Sequence, residues 1–527
     1  MKKRISLLYF LLSALFFIIV LRLGYWQIVK ASDLGETAFK QRYTVSPLIA
    51  KRGEIKYSDG YAMAGNTYKY YLGIDTKEAG MADQTQKWIR TPQVYDLKQK
   101  LEIDSQKLKG RYWESEQARN YPEGSNSAHL TGFLGRDENS LPLGYFGLEG
   151  YYNRELSGKN GKFLGEHDAF GQPIILSDYK IVDPQNGRDL FTSIDRTMQY
   201  LVYQKLLKGI EKYGAKSGNV VVMEPQTGKI LAMVSWPNYD PSKYQDFSGE
   251  LFRNPVIADA YEPGSTFKVI VMASALDAGV IEANTVCTIC TGPVVIGDYS
   301  IKTWNEKYYP NSTMSEVIAH SDNTGMVFVG RKLGRDKLLP YLNKFGFGQK
   351  TGIDLQEESQ AVLKPLSAWY EIDAATATFG QGIAITPIQM VRAVGAIANR
   401  GKMVVPRIVD KIGDKQITTS KTTQVISMTA ASEMTRIMID SVNKGDAKWA
   451  RPKDILIAGK TGTAQIPVQG HYDKDKTIAS FIGFAPADSP KFVMLVTLRE
   501  PQTSQWGSET AAPLWFDISR ELLARYN

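Results

Sequence analysis

The chain has 527 residues, 43% hydrophobic and 22% charged, a composition suited to globular domains with substantial cores, roughly two to four of them by length. Its 63 basic and 55 acidic residues leave a net charge of +8, which fits an anionic membrane face or polymer nearby. With no dense basic run beyond the N-terminus, this charge argues against a nucleic-acid partner. Two cysteines and four histidines (His129, His167, His320 and His471) show no metal-ligand spacing, so no metal or cofactor is expected and the histidines read as structural or surface residues.

The chain opens with MKKR, followed at residues 5–21 by ISLLYFLLSALFFIIVL, a run without a charge. At 1.5 Å per residue such a run covers about 25 Å, the short end of a membrane-crossing helix. Arg22 can snorkel while Tyr25 and Trp26 lie at the interface. The basic cluster stays in the cytoplasm, which places the chain beyond about residue 30 outside. The run is long for the apolar core of a secretory signal and no A-x-A site follows it, so it reads as an uncleaved single-pass anchor.

Residues 1–30 are thus expected to form tail and anchor, 31–190 a support or interaction module, and 191–527 a second domain. In the module, RGEIKYSDGYAMAGN at 52–66 predicts a short strand, a turn at Ser58-Asp59-Gly60 and another extended piece. Beyond the boundary, Asp195 is placed to cap a helix running to about Tyr213. NVVVMEP (219–225) and KILAMVSWP (229–237) predict a hairpin, as do IASFIGFAP (478–486) and KFVMLVTLR (491–499), and residues 511–525 a terminal helix. Strands at both ends with a mainly helical middle imply an α+β domain: one antiparallel sheet, built from distant sequence, packed against helices.

The helical middle contains YEPGSTFK at 261–268 and then VIVMASALDAG. Pro and Gly suit a helix start, which puts Ser265 in the first turn and Lys268 one turn along the same face. A serine becomes nucleophilic when a neighbour takes its proton, and a lysine does so if burial and nearby cations depress its pKa. The helix start also offers backbone N–H groups to an oxyanion. Alone, S-x-x-K is a weak signal. Ser321-Asp322-Asn323 follows the short helix MSEVIAH, and Lys460-Thr461-Gly462-Thr463 follows the short strand ILIAG.

With these three motifs in this order the sequence resembles the penicillin-binding protein and serine β-lactamase superfamily. Within it the chain looks like a class B, monofunctional penicillin-binding protein of the division or elongation type. RGEI (52–55), YPEGSNSAHLTG (121–132), GLEGYYNRELSG (147–158), FGFG with TGIDL (345–355) and FGQGIAITPIQM (379–390) also resemble family segments. The resemblance implies a single transmembrane helix, an elongated mixed pedestal (dimerisation-like) domain and a transpeptidase domain.

It also implies roles. Ser265 would attack the penultimate D-alanine carbonyl of a peptidoglycan stem, with Lys268 as base and Ser321 as proton relay. Asn323 would hold the donor peptide and Asp322 would support the loop. Lys460, Thr461, Gly462 and Thr463 would hold the substrate carboxylate end, with the N–H groups of Ser265 and Thr463 as oxyanion hole. An amine on a second stem would then resolve the acyl-enzyme, and β-lactams would acylate Ser265. A polytopic glycan polymerase and other wall-synthesis membrane proteins are the implied partners. The basic residue usual before the Ser58-Asp59-Gly60 turn is missing. Cys287 and Cys290 lie outside the family's chemistry and read as a local disulfide or two free thiols. A β-lactam hydrolase or sensor fits poorly, because soluble β-lactamases lack the retained anchor and support module. A non-catalytic scaffold is disfavoured by the intact motifs.

Overall fold

The computed structural model describes residues 2–81, 88–166, 180–418, 422–468 and 471–526. Lys2–Val29 is one continuous apolar helix with nothing packed over it, and among the described residues it alone is long and apolar enough to cross a membrane. The Arg22 guanidinium lies over the rings of Tyr25 (5.8 Å) and Trp26 (5.4 Å). Charge and aromatics thus sit together at one end of the apolar run, as an interfacial belt requires.

The chain divides into two compact units, Met1–Arg52 with Ser157–Gly187, and Gly53–Leu156 with Arg188–Asn527. In the first, Tyr43–Leu48, Gly161–Glu166 and Lys180–Val182 form a three-stranded antiparallel sheet. In the second, the expected extended pieces are the strands Ile55–Lys56 and Ala62–Asp75, with Gly60 in the left-handed conformation (φ +86°) that their turn demands. Leu190–Thr192 runs parallel to Ile55–Lys56 and antiparallel to Val409–Ile412. One sheet therefore joins strands from before and after residue 190. The buried Asp354 carboxylate fastens the Val409–Ile412 strand, accepting from the N–H groups of Ile408 (2.6 Å) and Val409 (2.8 Å) and from the Tyr152 hydroxyl (3.0 Å).

The C-terminal stretch of this unit begins with α1 (Arg196–Tyr213), whose first turn is capped by the Asp195 carboxylate on the Met198 N–H (2.8 Å). Its helices and strands then follow as β1 (Ser217–Met223), β2 (Ile230–Trp236), α2 (Lys268–Asp277), α3 (Met314–Ala319) and α4 (Asn323–Leu333). Among those that follow are α5 (Pro387–Ala398), α6 (Met428–Lys444), β3 (Ala458–Val468), β4 (His471–Ala485), β5 (Phe492–Arg499) and α7 (Ala511–Leu523). The strands lie in the order β2-β1-β5-β4-β3, and β1 pairs antiparallel with β5 from Ser217 opposite Arg499 to Met223 opposite Val493. First and last strands of the domain are neighbours, as the two hairpins predict.

Alternation along these strands assigns each residue a face. Val220, Val222, Met494, Val496 and Leu498 pack with α1 and α7 around Trp515. Val221, Met223, Val493 and Leu495 pack on the other side with α2 and α5. Both faces are covered, so the sheet is a buried platform and the ends of its strands are held rigidly.

An ion pair is also fully enclosed: Arg119 Nε donates to Glu149 Oε1 at 2.6 Å, with side-chain exposures of 3% and 0%. Removing one partner strands a buried charge. Glu149→Ala is therefore expected to destabilise the fold by about 3–5 kcal/mol, and Arg119→Met with Glu149→Leu by much less. Melting temperatures of the two variants in detergent check this; equal losses in the single and the double variant would refute it.

Candidate active site

The serine segment is pinned before the helix begins. Tyr261 and Ile385 exchange two backbone hydrogen bonds of 2.9 Å, and the Gly264 N–H donates to the Gly380 carbonyl at 3.1 Å. The Thr266 hydroxyl donates to the Pro263 carbonyl at 2.7 Å. Gly264–Phe267 form a tight 3-10 turn and α2 starts at Lys268. Ser265 is half-buried on that turn, whereas Lys268 is wholly inside. Glu262 braces the turn from its other side, accepting from the Gly382 N–H (3.1 Å) and the Tyr472 hydroxyl.

The second motif sits between two short helices. Thr313 and Glu316 form a capping box at the start of α3, and Asp322 caps α4, accepting from the N–H groups of Thr324 (2.7 Å) and Gly325 (3.1 Å). One oxygen of the Asp322 carboxylate, Oδ1, thus holds the loop, accepting from the Thr324 hydroxyl as well. Between the helices Ser321 is left-handed (φ +55°), a strain of about 1 kcal/mol that such a loop retains when its surroundings over-determine it. The third motif lies on β3, where Lys460 faces Ile482 and Thr461 faces Phe481 of β4. A Cβ on Gly462 would clash with Ser480 Oγ of β4 and come within 2.7 Å of Thr266 Cγ2, so glycine lets the strand lie close to both β4 and the serine turn.

These elements bring the motif residues into one web. Lys268 Nζ donates to the Ser321 carbonyl (2.6 Å) and to Asn323 Oδ1 (2.8 Å), and lies 3.2 Å from Ser321 Oγ. Lys460 Nζ donates to Ser321 Oγ (3.1 Å) and to the carbonyl (3.1 Å) and hydroxyl (3.2 Å) of Thr461. One serine hydroxyl therefore bridges two lysines that are 0% and 2% exposed. Burial, then the neighbouring charge of Lys460, drives Lys268 well below the usual lysine range, against a smaller pull from Asp322. Burial pushes Lys460 down to about 8, opposed by the charge of Asp446. The arrangement favours one neutral and one charged lysine, with Lys268 the neutral one.

Ser265 opens onto two adjoining cavities. The larger, about 230 Å³, is bordered by Asn323, Thr463, Gln465 and Thr477; the smaller, about 60 Å³, by Ser321, Thr461, Gly462 and Asp446. Trp304 and Trp506 wall both, with ring centroids 4.7 Å apart. The Asn323 amide also donates to the Lys302 carbonyl (2.9 Å). Thr463 Oγ1 accepts from the Gly507 N–H (3.0 Å), which leaves its own proton free to donate to a ligand. The structure thus gathers every residue the motifs nominate: Ser265, Lys268, Ser321, Asn323, Lys460, Thr461, Gly462 and Thr463.

Sequence reading missed Trp304, Trp506 and Asp446, which border the same cleft from segments with no motif or periodicity, and it gave no site role to Phe379 and Gln381, although they open the family-like segment FGQGIAITPIQM. Cys287 and Cys290 form a buried disulfide, and the Cys287 N–H bonds the Ser312 carbonyl (2.8 Å) just before α3. His129 is buried against the Leu251 carbonyl (2.9 Å) and pushed down to about 4 by that burial. His320 stacks on Tyr309 at the end of α3. His167 lies outside the described residues, and so does the His471 side chain.

Residues 218–523 match the penicillin-binding protein transpeptidase domain, and residues 86–192 the penicillin-binding protein dimerisation domain. The chain belongs to the penicillin-binding protein transpeptidase family. It is 33% identical to Stage V sporulation protein D of Bacillus subtilis, over 99% of this chain and 85% of that protein. It is 31% identical to the peptidoglycan D,D-transpeptidase FtsI of Escherichia coli, over 83% of this chain and 71% of that one. Its fold is also that of Penicillin Binding Protein 2X from Streptococcus thermophilus, at a TM-score of 0.79 and 23% identity, covering 91% of this chain and 80% of that one. A dimerisation domain ahead of a transpeptidase domain, with one apolar N-terminal helix, is the class B-type penicillin-binding protein architecture. It fits a single-pass anchor with the catalytic domain outside the membrane.

The close approach of β3 to the serine turn yields a test. Gly462→Ala is expected to push the strand from Thr266 and slow acylation by a penicillin about 100-fold, with the melting temperature little changed. Stopped-flow acylation with a fluorescent penicillin checks it; a wild-type rate would show that this approach is not needed.

Proposed function

We propose that the chain is a monofunctional, class B D-Ala-D-Ala transpeptidase of the division or elongation type, which cross-links peptidoglycan stems through an acyl-enzyme on Ser265. What carries this reading is the web of Lys268, Ser321 and Lys460, buried beside a half-exposed serine in a cleft. Family membership supports it, as does the likeness to the D,D-transpeptidase FtsI. Residues 1–30 would be tail and anchor, 31–190 the pedestal and 191–527 the transpeptidase domain. A polytopic glycan polymerase, which would supply the strands to be joined, is the proposed membrane partner.

In this mechanism neutral Lys268 takes the Ser265 proton as Oγ attacks the penultimate D-alanine carbonyl. The N–H groups of Ser265 and Thr463 receive the oxyanion. The bridging Ser321 hydroxyl passes a proton to the departing D-alanine. Lys460, kept charged, draws the terminal carboxylate, which the Thr461 and Thr463 hydroxyls hold, while Gly462 lets β3 approach. Asn323, already oriented by Lys268 and Lys302, takes the donor peptide amide. β-Lactams would enter by the same route.

Incubation with benzylpenicillin, read by intact mass, is expected to give a lasting adduct on Ser265 that Ser265→Ala lacks. Rapid turnover without adduct would mark a β-lactam hydrolase, and neither adduct nor turnover in folded protein a non-catalytic scaffold. The pH profile follows from the two lysines. Acylation needs Lys268 neutral, so the rate climbs as pH rises through its depressed pKa; it needs Lys460 charged, so the rate falls as pH passes about 8. Lys460→Arg is expected to abolish the falling limb up to about pH 10, at a lower overall rate. An unshifted alkaline limb would assign that titration to another group.

A further inference from the structure

We propose that a cavity beside Tyr261, separate from the serine cleft, binds a zwitterion of dipeptide size as an effector of acylation. The binding itself does not depend on the transpeptidase reading.

The cavity measures about 290 Å³ and lies at the end of the sheet where β1 begins and β5 finishes. It borders Tyr261, four residues ahead of Ser265, yet among the described residues it shares none with the two cavities at Ser265. Its volume falls at the low end for small-molecule sites, which suits an occupant smaller than a drug.

Two buried polar side chains stand in its wall. Tyr261 is 9% exposed, and among the described residues its enclosed hydroxyl has no hydrogen-bond partner. Burial pushes the phenol up, so the group stays a donor. A buried donor without a partner is costly, and a ligand oxygen that accepts from it is favoured for that reason. His129 adds no charge: burial pushes it down to about 4, and its Nε2 is engaged by the Leu251 carbonyl.

The rim carries both signs, with Arg253 and Arg499 facing the same cavity as Glu250 and Asp259. All four are exposed. Both arginines act on Asp259, opposing the rise that burial gives its carboxyl. Even so, among the described residues the side chains of Glu250, Arg253 and Asp259 close no hydrogen bond or ion pair. Arg499 reaches only Glu500, at 3.7 Å. This mixture selects among ligands. A lone anion would meet two carboxylates and a lone cation two guanidinium groups, each a like-charge contact. A molecule with a carboxylate at one end and an ammonium at the other answers both pairs, and its carboxylate can also accept from Tyr261. Trp236, in the same wall, gives the uncharged middle an apolar surface.

Tyr261 connects this site to the chemistry. Its backbone exchanges two hydrogen bonds with Ile385, and the next residue, Glu262, braces the turn that presents Ser265. Reaching the enclosed hydroxyl requires the ring to turn toward the occupant, and the serine segment receives that adjustment.

Isothermal titration of the full-length chain in non-ionic detergent tests this with glycyl-L-phenylalanine, whose L-centre keeps it from serving as a D,D donor. Two capped forms lack one charge each: the N-acetyl dipeptide and the dipeptide amide. The dipeptide should bind about tenfold more tightly than either capped form, and Tyr261→Phe, Arg253→Gln and Asp259→Asn should each weaken it about tenfold. Tyr261→Phe removes only an unpartnered atom and should fold. At saturation the dipeptide should speed acylation by a fluorescent penicillin about threefold in the wild type, and far less in Arg253→Gln at the same concentration. Binding that is lost once benzylpenicillin occupies Ser265 would put the dipeptide in the serine cleft and overturn the proposal. So would capped forms that bind as well as the dipeptide, variants that bind like the wild type, or no binding up to about 10 mM. Binding with an unaltered acylation rate would overturn the effector role. A chain that penicillin never acylates would sink that role and the transpeptidase reading together, while the capped forms and variants would still decide the site.

Discussion

Lys268 and Lys460 converge on a single hydroxyl, that of Ser321, from opposite sides and almost without access to water. Two ammonium ions in that position would each forgo several kcal/mol of hydration and repel one another besides. The fold eases the conflict by pushing Lys268 well below the usual lysine range, through burial and the nearby cation, while Lys460 keeps three oxygen acceptors. Much of the surrounding structure is explained by the need to hold three chain segments at that spot without slack.

Each segment is fixed by a different device. The serine turn is pinned by backbone bonds to Gly380 and Ile385. The Ser321 loop is clamped between a capping box and the Asp322 cap, which lets Ser321 keep a left-handed backbone. β3 is an edge strand, yet Gly462 lets it rest on the turn, and β4 supports its other side. The sheet beneath is covered on both faces, which leaves its strands little room to shift. Preorganisation of this kind supplies rate because the donors and the base need not move when charge develops.

The support module is tied to the same scaffold. Leu190–Thr192 pairs with Ile55–Lys56 on one side and Val409–Ile412 on the other, and Asp354 binds that edge to Tyr152. Strain or binding on strands before residue 190 therefore acts on a sheet that also contains residues beyond 400.

The amino-acid sequence by itself determined what local physics and spacing control. The charge-free run, the Asp195 cap, the two hairpins and the placing of Ser265 one turn before Lys268 all follow from periodicity, caps and turns. The three motifs named residues that the fold gathers at one cleft, and their order carried the family. Tertiary structure alone decided the rest. That Leu190 lies beside Ile55, that Trp304 meets Trp506, and that Asp446 shares a cavity with Ser321 depend on chain segments brought together over scores or hundreds of residues, which no local pattern encodes. Likewise, the protonation of Lys268 depends on burial and on the distance to another cation. Those quantities exist only once the water has been excluded.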